Sequence, residues 1–170
     1  TIDFGNLHRN EGIPIVVFKP TGFGRFAIFQ KLTEKKALTP EEEKEWERIK
    51  SRFDAACKRA YEYKIPILVD AEESWMQTAA DDLVEEMMLK YNKEEPIVYN
   101  TLQMYRHDRL PYLKELYERA VDKGFYIGVK IVRGAYMEKE NERAAELGYP
   151  TPICPSKQAT DDNYNAVVRY

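Results

Sequence analysis

Cysteine is scarce in this chain of 170 residues: Cys57 and Cys154 stand alone. Two thiols are too few for a disulfide scaffold and fit a reducing compartment. Long apolar runs are missing, and Ile15 to Phe18 is as long as any, against the ~20 residues that a membrane-spanning helix needs. Net charge is small, with 26 basic and 29 acidic side chains giving −3. No basic footprint for nucleic acid results. His8 and His107 lie far apart with no acid or cysteine at ligand spacing, so no metal site is expected. Glycine-rich linkers, repeats and a signal-peptide pattern are absent. The chain opens on Thr1 rather than Met, which suggests an excision from something longer.

What is present suits one folded unit: 44% of residues are hydrophobic and 12% aromatic, which excludes a disordered chain. Short β-rich runs alternate with longer helical ones. Ile13–Lys19, Ile65–Asp70, Pro96–Gln103 and Phe125–Val132 read as strands. Residues 31–45 are highly charged and read as a loop. Thr39, Pro40 and Glu42 then announce a helix by capping hydroxyl, first-turn proline and capping-box acid. Its stripe is Trp46, Ile49, Phe53, Ala56 or Cys57, and Ala60. A second helix carries Met76, Ala80, Leu83, Val84, Met87 and Met88, a core stripe. Asp108 is placed to cap a third, which Gly124 ends. A short helix is expected over 137–147, and a last one from Thr160, with Asp161 and Asp162 in its first turn.

These are four β/α units joined by helical crossovers, as parallel strands require. Counting back by twos from Lys19, Asp70, Gln103 and Lys130 gives one mostly apolar or small series per strand: Val17 and Ile15, Leu68, Thr101 and Tyr99, Gly128. A (β/α)8 barrel interior reads this way, with function at the C-terminal mouth. An open doubly wound sheet also binds ligands at strand ends. Strand order separates the two: 1-2-3-4 means barrel, 2-1-3-4 an open flavodoxin-like sheet. Four units make about half of a TIM-like barrel, so 1–170 is expected to be a single partial α/β domain.

Gly22-Phe-Gly-Arg-Phe-Ala27 fits G-x-G-x-x-A, but the next strand-end acid, Asp70, lies 48 residues after Gly22. A dinucleotide fingerprint wants that acid about 20 residues on, so a tight turn is the better reading. The strand-end set Lys19, Asp70, Gln103 and Lys130, followed by Arg133-Gly134-Ala135-Tyr136, is the chemical candidate. Two inner lysines with a single acid imply a positive mouth suited to a carboxylate, a phosphate or an electron-rich ring. Gly134 and Ala135 leave room for a flat ligand at the backbone.

At these residues the chain resembles the proline dehydrogenase family. The matching segments are Val69–Glu73, Tyr99–Tyr105, Val129–Tyr136, and Gly148-Tyr-Pro150 with Lys157–Thr160 and Tyr164, over roughly residues 13–170. The likeness is greatest to the eukaryotic-like branch, which some bacteria share. It implies a distorted (β/α)8 barrel that binds FAD at its mouth and oxidises L-proline to 1-pyrroline-5-carboxylate, with quinone as final acceptor. By position, Lys19 would meet the proline carboxylate and Asp70 would organise the substrate pocket. Gln103 would bond the flavin pyrimidine edge, and Lys130 would stand by the reactive flavin nitrogen. Ala71, Arg133, Gly134 and Ala135 would line the FAD path, and Tyr136 would pack on the proline ring. Lys130 replaces the arginine of many bacterial members. Met137 stands where some place a tryptophan against adenine, so adenine stacking is left unassigned. The family's substrate-clamping tyrosine and arginine pair lie on the eighth helix, beyond Tyr170, so the piece alone is expected to be inactive. It is also expected to self-associate through exposed strand edges and an inner face, with Ile15, Val17 and Leu68, open to water. The implied location is cytoplasm or inner-membrane periphery in a bacterium, mitochondrion in a eukaryote. A non-catalytic ligand-binding or scaffold domain with an open sheet is the alternative.

Overall fold

The computed structural model describes residues 2–8, 12 and 15–170; Ile13 and Pro14, expected at the start of the first strand, lie outside them. Among the described residues the order is α1 (Ile2–Leu7), β1 (Val16–Phe18), α2 (Phe26–Thr33), α3 (Pro40–Tyr63), β2 (Ile67–Val69), α4 (Ser74–Tyr91), β3 (Val98–Gln103), α5 (Arg109–Lys123), β4 (Val129–Val132), α6 (Met137–Leu147) and α7 (Lys157–Arg169).

The four strands are parallel and lie in the order β1-β2-β3-β4. That sequential order is the barrel arrangement and rejects the open flavodoxin-like sheet. One sheet face carries Val16, Ile67, Val69 and Val98, all buried against Ile28, Phe29, Phe53, Met76 and Met87 of the helices. The opposite face carries Val17, Leu68 and Tyr99 in one register layer, with Thr101 beside Lys130 one layer higher. Helices thus cover one face and leave the other as an inner surface, as in a barrel wall. Among the described residues β1 and β4 each pair on one side only.

Helix α3 starts where its residues dictate. The Thr39 hydroxyl accepts from the Glu42 N–H at 3.3 Å, and the Glu42 carboxylate accepts from the Thr39 N–H at 2.8 Å. Ile49, Phe53, Cys57 and Ala60 then fall on the buried face. Burial pushes the Cys57 thiol up to about 12, so it behaves as a small apolar side chain. Removing the cap by Thr39→Ala is expected to lower stability by about 1 kcal/mol, read as a shifted urea midpoint. Gly24 lets the turn before α2 pass close to α3: a Cβ there would lie 2.2 Å from the Ile49 side chain.

Five local expectations need correction. Residues 31–45 are a loop only between Thr33 and Pro40, because Ile28 and Phe29 bury completely and carry the charged end of α2 into a helix. The fourth strand begins at Val129, where pairing with Asn100 begins. Upstream, the Tyr126 N–H and carbonyl are both held by the fully buried Asn92. The last helix begins at Lys157, since the Ser156 hydroxyl accepts from the Ala159 N–H. Asp108 stands at the start of α5 without capping it, its carboxylate being held by Arg106 and Arg109. Leu68, expected to face water on the inner surface, is buried between Val17 and Tyr99, unlike Ile15 at 41% and Val17 at 43% exposure on the β1 edge.

Candidate functional site at the strand ends

The strands end together, and so do their chemical side chains. A cleft of about 350 Å³ opens at the C-terminal ends of the strands. Its wall contains Lys19, Asp70, Ala71, Gln103, Lys130, Arg133, Gly134, Ala135 and Tyr136, every site residue expected from the sequence. Thr101 and Val132 complete the wall. Both lie on the inward strand parity, the signal that could have named them as site residues.

Lys130 on β4 forms an ion pair with Asp70 after β2, reaching past Thr101 of the intervening strand β3. The mouth is therefore less positive than the residue types suggest, because its one inner acid is spent on its second lysine. Lys19 is different. Among the described residues it has no carboxylate at salt-bridge distance, and its Nζ donates to the Tyr136 hydroxyl at 3.0 Å. That bond holds its pKa above the usual lysine value, so it is a cation at neutral pH. Arg133 pairs with Asp161 at 2.9 Å and lies over the Tyr164 ring.

Among the described residues, two buried polar atoms in the wall have no partner: the Gln103 side-chain oxygen, an acceptor, and the Thr101 hydroxyl. An unpaired buried polar atom costs about 1–3 kcal/mol, which a ligand carrying hydrogen-bond donors would recover. Gly134 has φ +130°, and a Cβ there would lie 1.3 Å from the Tyr105 ring. Only glycine allows the backbone to pass so close to that ring. The residues present thus fit the edge of a flat heterocycle that carries both donors and acceptors.

Beneath the mouth, hydrogen bonds tie the loops together. Glu72 accepts from the Thr21 N–H and hydroxyl at 3.1 and 2.8 Å, joining the loop after Lys19 to the loop after Asp70. The Glu72 N–H donates to Gln77, and Gln77 donates to Asp81. Asp81 also accepts from Asn100 of β3 at 2.9 Å and from Arg109 of α5 at 2.8 Å. Burial opposes ionisation of Asp108, yet Arg109 and Arg106 hold its carboxyl below the usual range.

A second cleft of about 630 Å³ adjoins the first and shares Arg133 and Gly134 with it. Met137, Ile153, Pro155 and Lys157 line it further out. The 151–154 segment reaches it by bonding alongside Tyr105–His107, a long-range contact with no local sequence signal. A larger cavity of about 770 Å³ lies between α4 and α5 on the outer helical face, away from the strand ends.

Comparison with known families matches residues 12–170 to the one described as "Proline dehydrogenase". The chain is 36% identical over 162 residues to "Carbapenem antibiotics biosynthesis protein CarD" of Pectobacterium carotovorum subsp. carotovorum, covering 95% of this chain and 42% of that protein. It is 40% identical over 128 residues to "Proline dehydrogenase 1, mitochondrial" of Drosophila melanogaster, covering 75% and 19%. Against the protein of the same name from Homo sapiens the figures are 39% over 133 residues, 78% and 22%. Among solved structures, proline utilization A from Bdellovibrio bacteriovorus superposes with TM-score 0.74 at 21% identity, over 91% of this chain and 15% of that one. That likeness establishes the fold. The chain spans less than half the length of each of these relatives. With strand order, strand-end cleft and family match in agreement over residues 12–170, the chain belongs to the proline dehydrogenase family.

Proposed function

We propose that the full-length protein oxidises L-proline to 1-pyrroline-5-carboxylate with FAD as cofactor, in proline catabolism. The observation that carries this reading is the single cleft that gathers Lys19, Asp70, Gln103 and Lys130 around buried polar atoms that lack partners among the described residues. FAD, when bound, supplies the hydride acceptor, and proline loses a hydride from carbon and a proton from nitrogen.

The protein's part is binding, orientation and charge. Lys19 receives the proline carboxylate, a cation in a partly enclosed site being what an anion needs there. Tyr136, already bonded to Lys19, packs on the ring of the same substrate. Asp70 organises the pocket and holds Lys130 in place. Gln103, 2% exposed, presents its amide to the pyrimidine edge. Lys130 would stand by the reactive flavin nitrogen, where a cation would stabilise negative charge. Ala71, Arg133, Gly134 and Ala135 line the cofactor's path, and the adjoining cleft accepts its remainder.

A quinone would be the final electron acceptor. The relatives of Drosophila and human are named mitochondrial, and a eukaryotic source implies that location here; a bacterial source implies the cytoplasm or the inner-membrane periphery. No helix among the described residues is long and apolar enough to cross a membrane.

The test is direct. Purified full-length protein should show flavin absorbance and proline-dependent dye reduction; protein with neither sinks the proposal. The 170-residue chain by itself is expected to bind FAD weakly and to be inactive. Its β1 and β4 edges and the half-exposed Ile15 and Val17 favour pairing with a second copy. Light scattering after size exclusion reads this, and a clean monomer with tight FAD binding would overturn it.

A further inference from the structure

One buried acid plays no part in the chemistry above. Glu140 on α6 is fully buried. Its carboxylate accepts from the Ser74 N–H and from the Ser74 hydroxyl, each at 2.6 Å. Ser74 is the first residue of α4, and Glu73 before it makes no side-chain cap. The cap of α4 is therefore supplied from α6, by a residue 66 positions later in the chain. A carboxylate at a helix N-terminus is favoured both by the aligned peptide dipoles and by charge-assisted hydrogen bonding.

Other contacts join α6 to the same corner. Lys139 pairs with Glu73 at 3.1 Å, and Arg143 pairs with Glu34 at 3.1 Å. The Arg143 guanidinium also lies 4.7 Å from the Trp75 ring centre. The Lys139 side chain is 63% exposed, and exposed pairs of that kind contribute little. Glu140 is the fully buried member of these contacts. Its own N–H donates to the Tyr136 carbonyl at 2.9 Å, and the Tyr136 hydroxyl accepts from Lys19 at 3.0 Å. An unbroken path runs from the start of α4 through Glu140 to the cleft.

We infer that Glu140 is a positioning residue: by capping α4 it docks α6 and holds Tyr136 opposite Lys19, and so sets affinity for the cyclic amino-acid substrate. The inference rests on the reading of Lys19 and Tyr136 as the substrate-binding pair. A cap that served stability alone would act on folding without regard to Tyr136.

The experiment is a double-mutant cycle in the full-length protein, with hydrogen exchange of residues 137–147 as a second readout. Glu140→Ala is expected to raise KM for proline about tenfold, the equivalent of one charge-assisted hydrogen bond, with kcat within about twofold. In a Tyr136→Ala background the same change should move KM by less than about twofold, because the residue it acts through is gone. Exchange over α6 should rise about tenfold in Glu140→Ala. Should Glu140→Ala not fold, Ser74→Ala removes one of the two bonds from the other side, with about a threefold rise expected under the same dependence on Tyr136. Equal KM rises in both backgrounds, an unchanged KM, or unchanged exchange would each overturn the proposal. Wild-type protein that does not oxidise proline would defeat the proposed function instead, and the Glu140 clamp would then stand or fall on the exchange comparison.

Discussion

Full-length protein carrying Lys130→Met is expected to reduce its flavin about a hundredfold more slowly at saturating proline, with proline affinity changed by less than about threefold. The asymmetry follows from when the charge appears. A cation beside the acceptor meets little negative charge in the ground state and much more once hydride has begun to move, so it acts chiefly on the transition state. In the structure the Lys130 ammonium is held by Asp70, at 30% and 28% side-chain exposure. Its position is thus set before any ligand arrives, and little reorganisation is needed later. Lys130→Arg keeps the cation and should recover most of the rate. Stopped-flow reduction measures the limiting rate directly, and a rate unchanged in Lys130→Met would remove this residue from the mechanism.

The largest loss of stability is expected from Asp81→Ala, about 3–5 kcal/mol. The Asp81 and Arg109 side chains are 4% and 8% exposed and pair at 2.8 Å. Truncating the acid leaves a buried guanidinium short of one partner and deprives Gln77 and Asn100 of their shared acceptor. In urea, at about 2 kcal/mol per molar, the midpoint should fall by about 2 M. Replacing both partners with apolar residues of similar volume, Asp81→Leu with Arg109→Met, should restore part of the loss, because no charge is then left buried alone. A midpoint moved by less than about 0.5 M in Asp81→Ala would show that water or Asp108 compensates the arginine fully.

Much of this molecule was legible from its residues because the relevant physics is local. The Thr39 cap, the stripe from Ile49 to Ala60, the αL stop at Gly124 and the bounds of α6 all follow from interactions within a few positions. Helix α2 was hidden because its two buried residues, Ile28 and Phe29, are followed by a charged stretch that reads as loop. Leu68 lies on the inward face that alternation gave it, but its burial was not legible, because its shelter comes from neighbouring strands.

The candidate site divides the same way. Period-two alternation put Lys19, Asp70, Gln103 and Lys130 on one inward series, and the resemblance of their segments to one family suggested roles for them. Which of them touch was a separate matter. The Lys130–Asp70 pair and the Lys19–Tyr136 bond join residues 60 and 117 positions apart. The same holds for the Glu140 cap on Ser74 and for Asp81 shared among Gln77, Asn100 and Arg109. The sequence by itself determined the four strands, the helices other than α1 and α2, the inward faces and the family, because backbone geometry and side-chain period act over a few residues. Only the tertiary structure decided strand order, charge pairing at the mouth and the docking of α6, because Coulombic and hydrogen-bonding partners are chosen by distance in space.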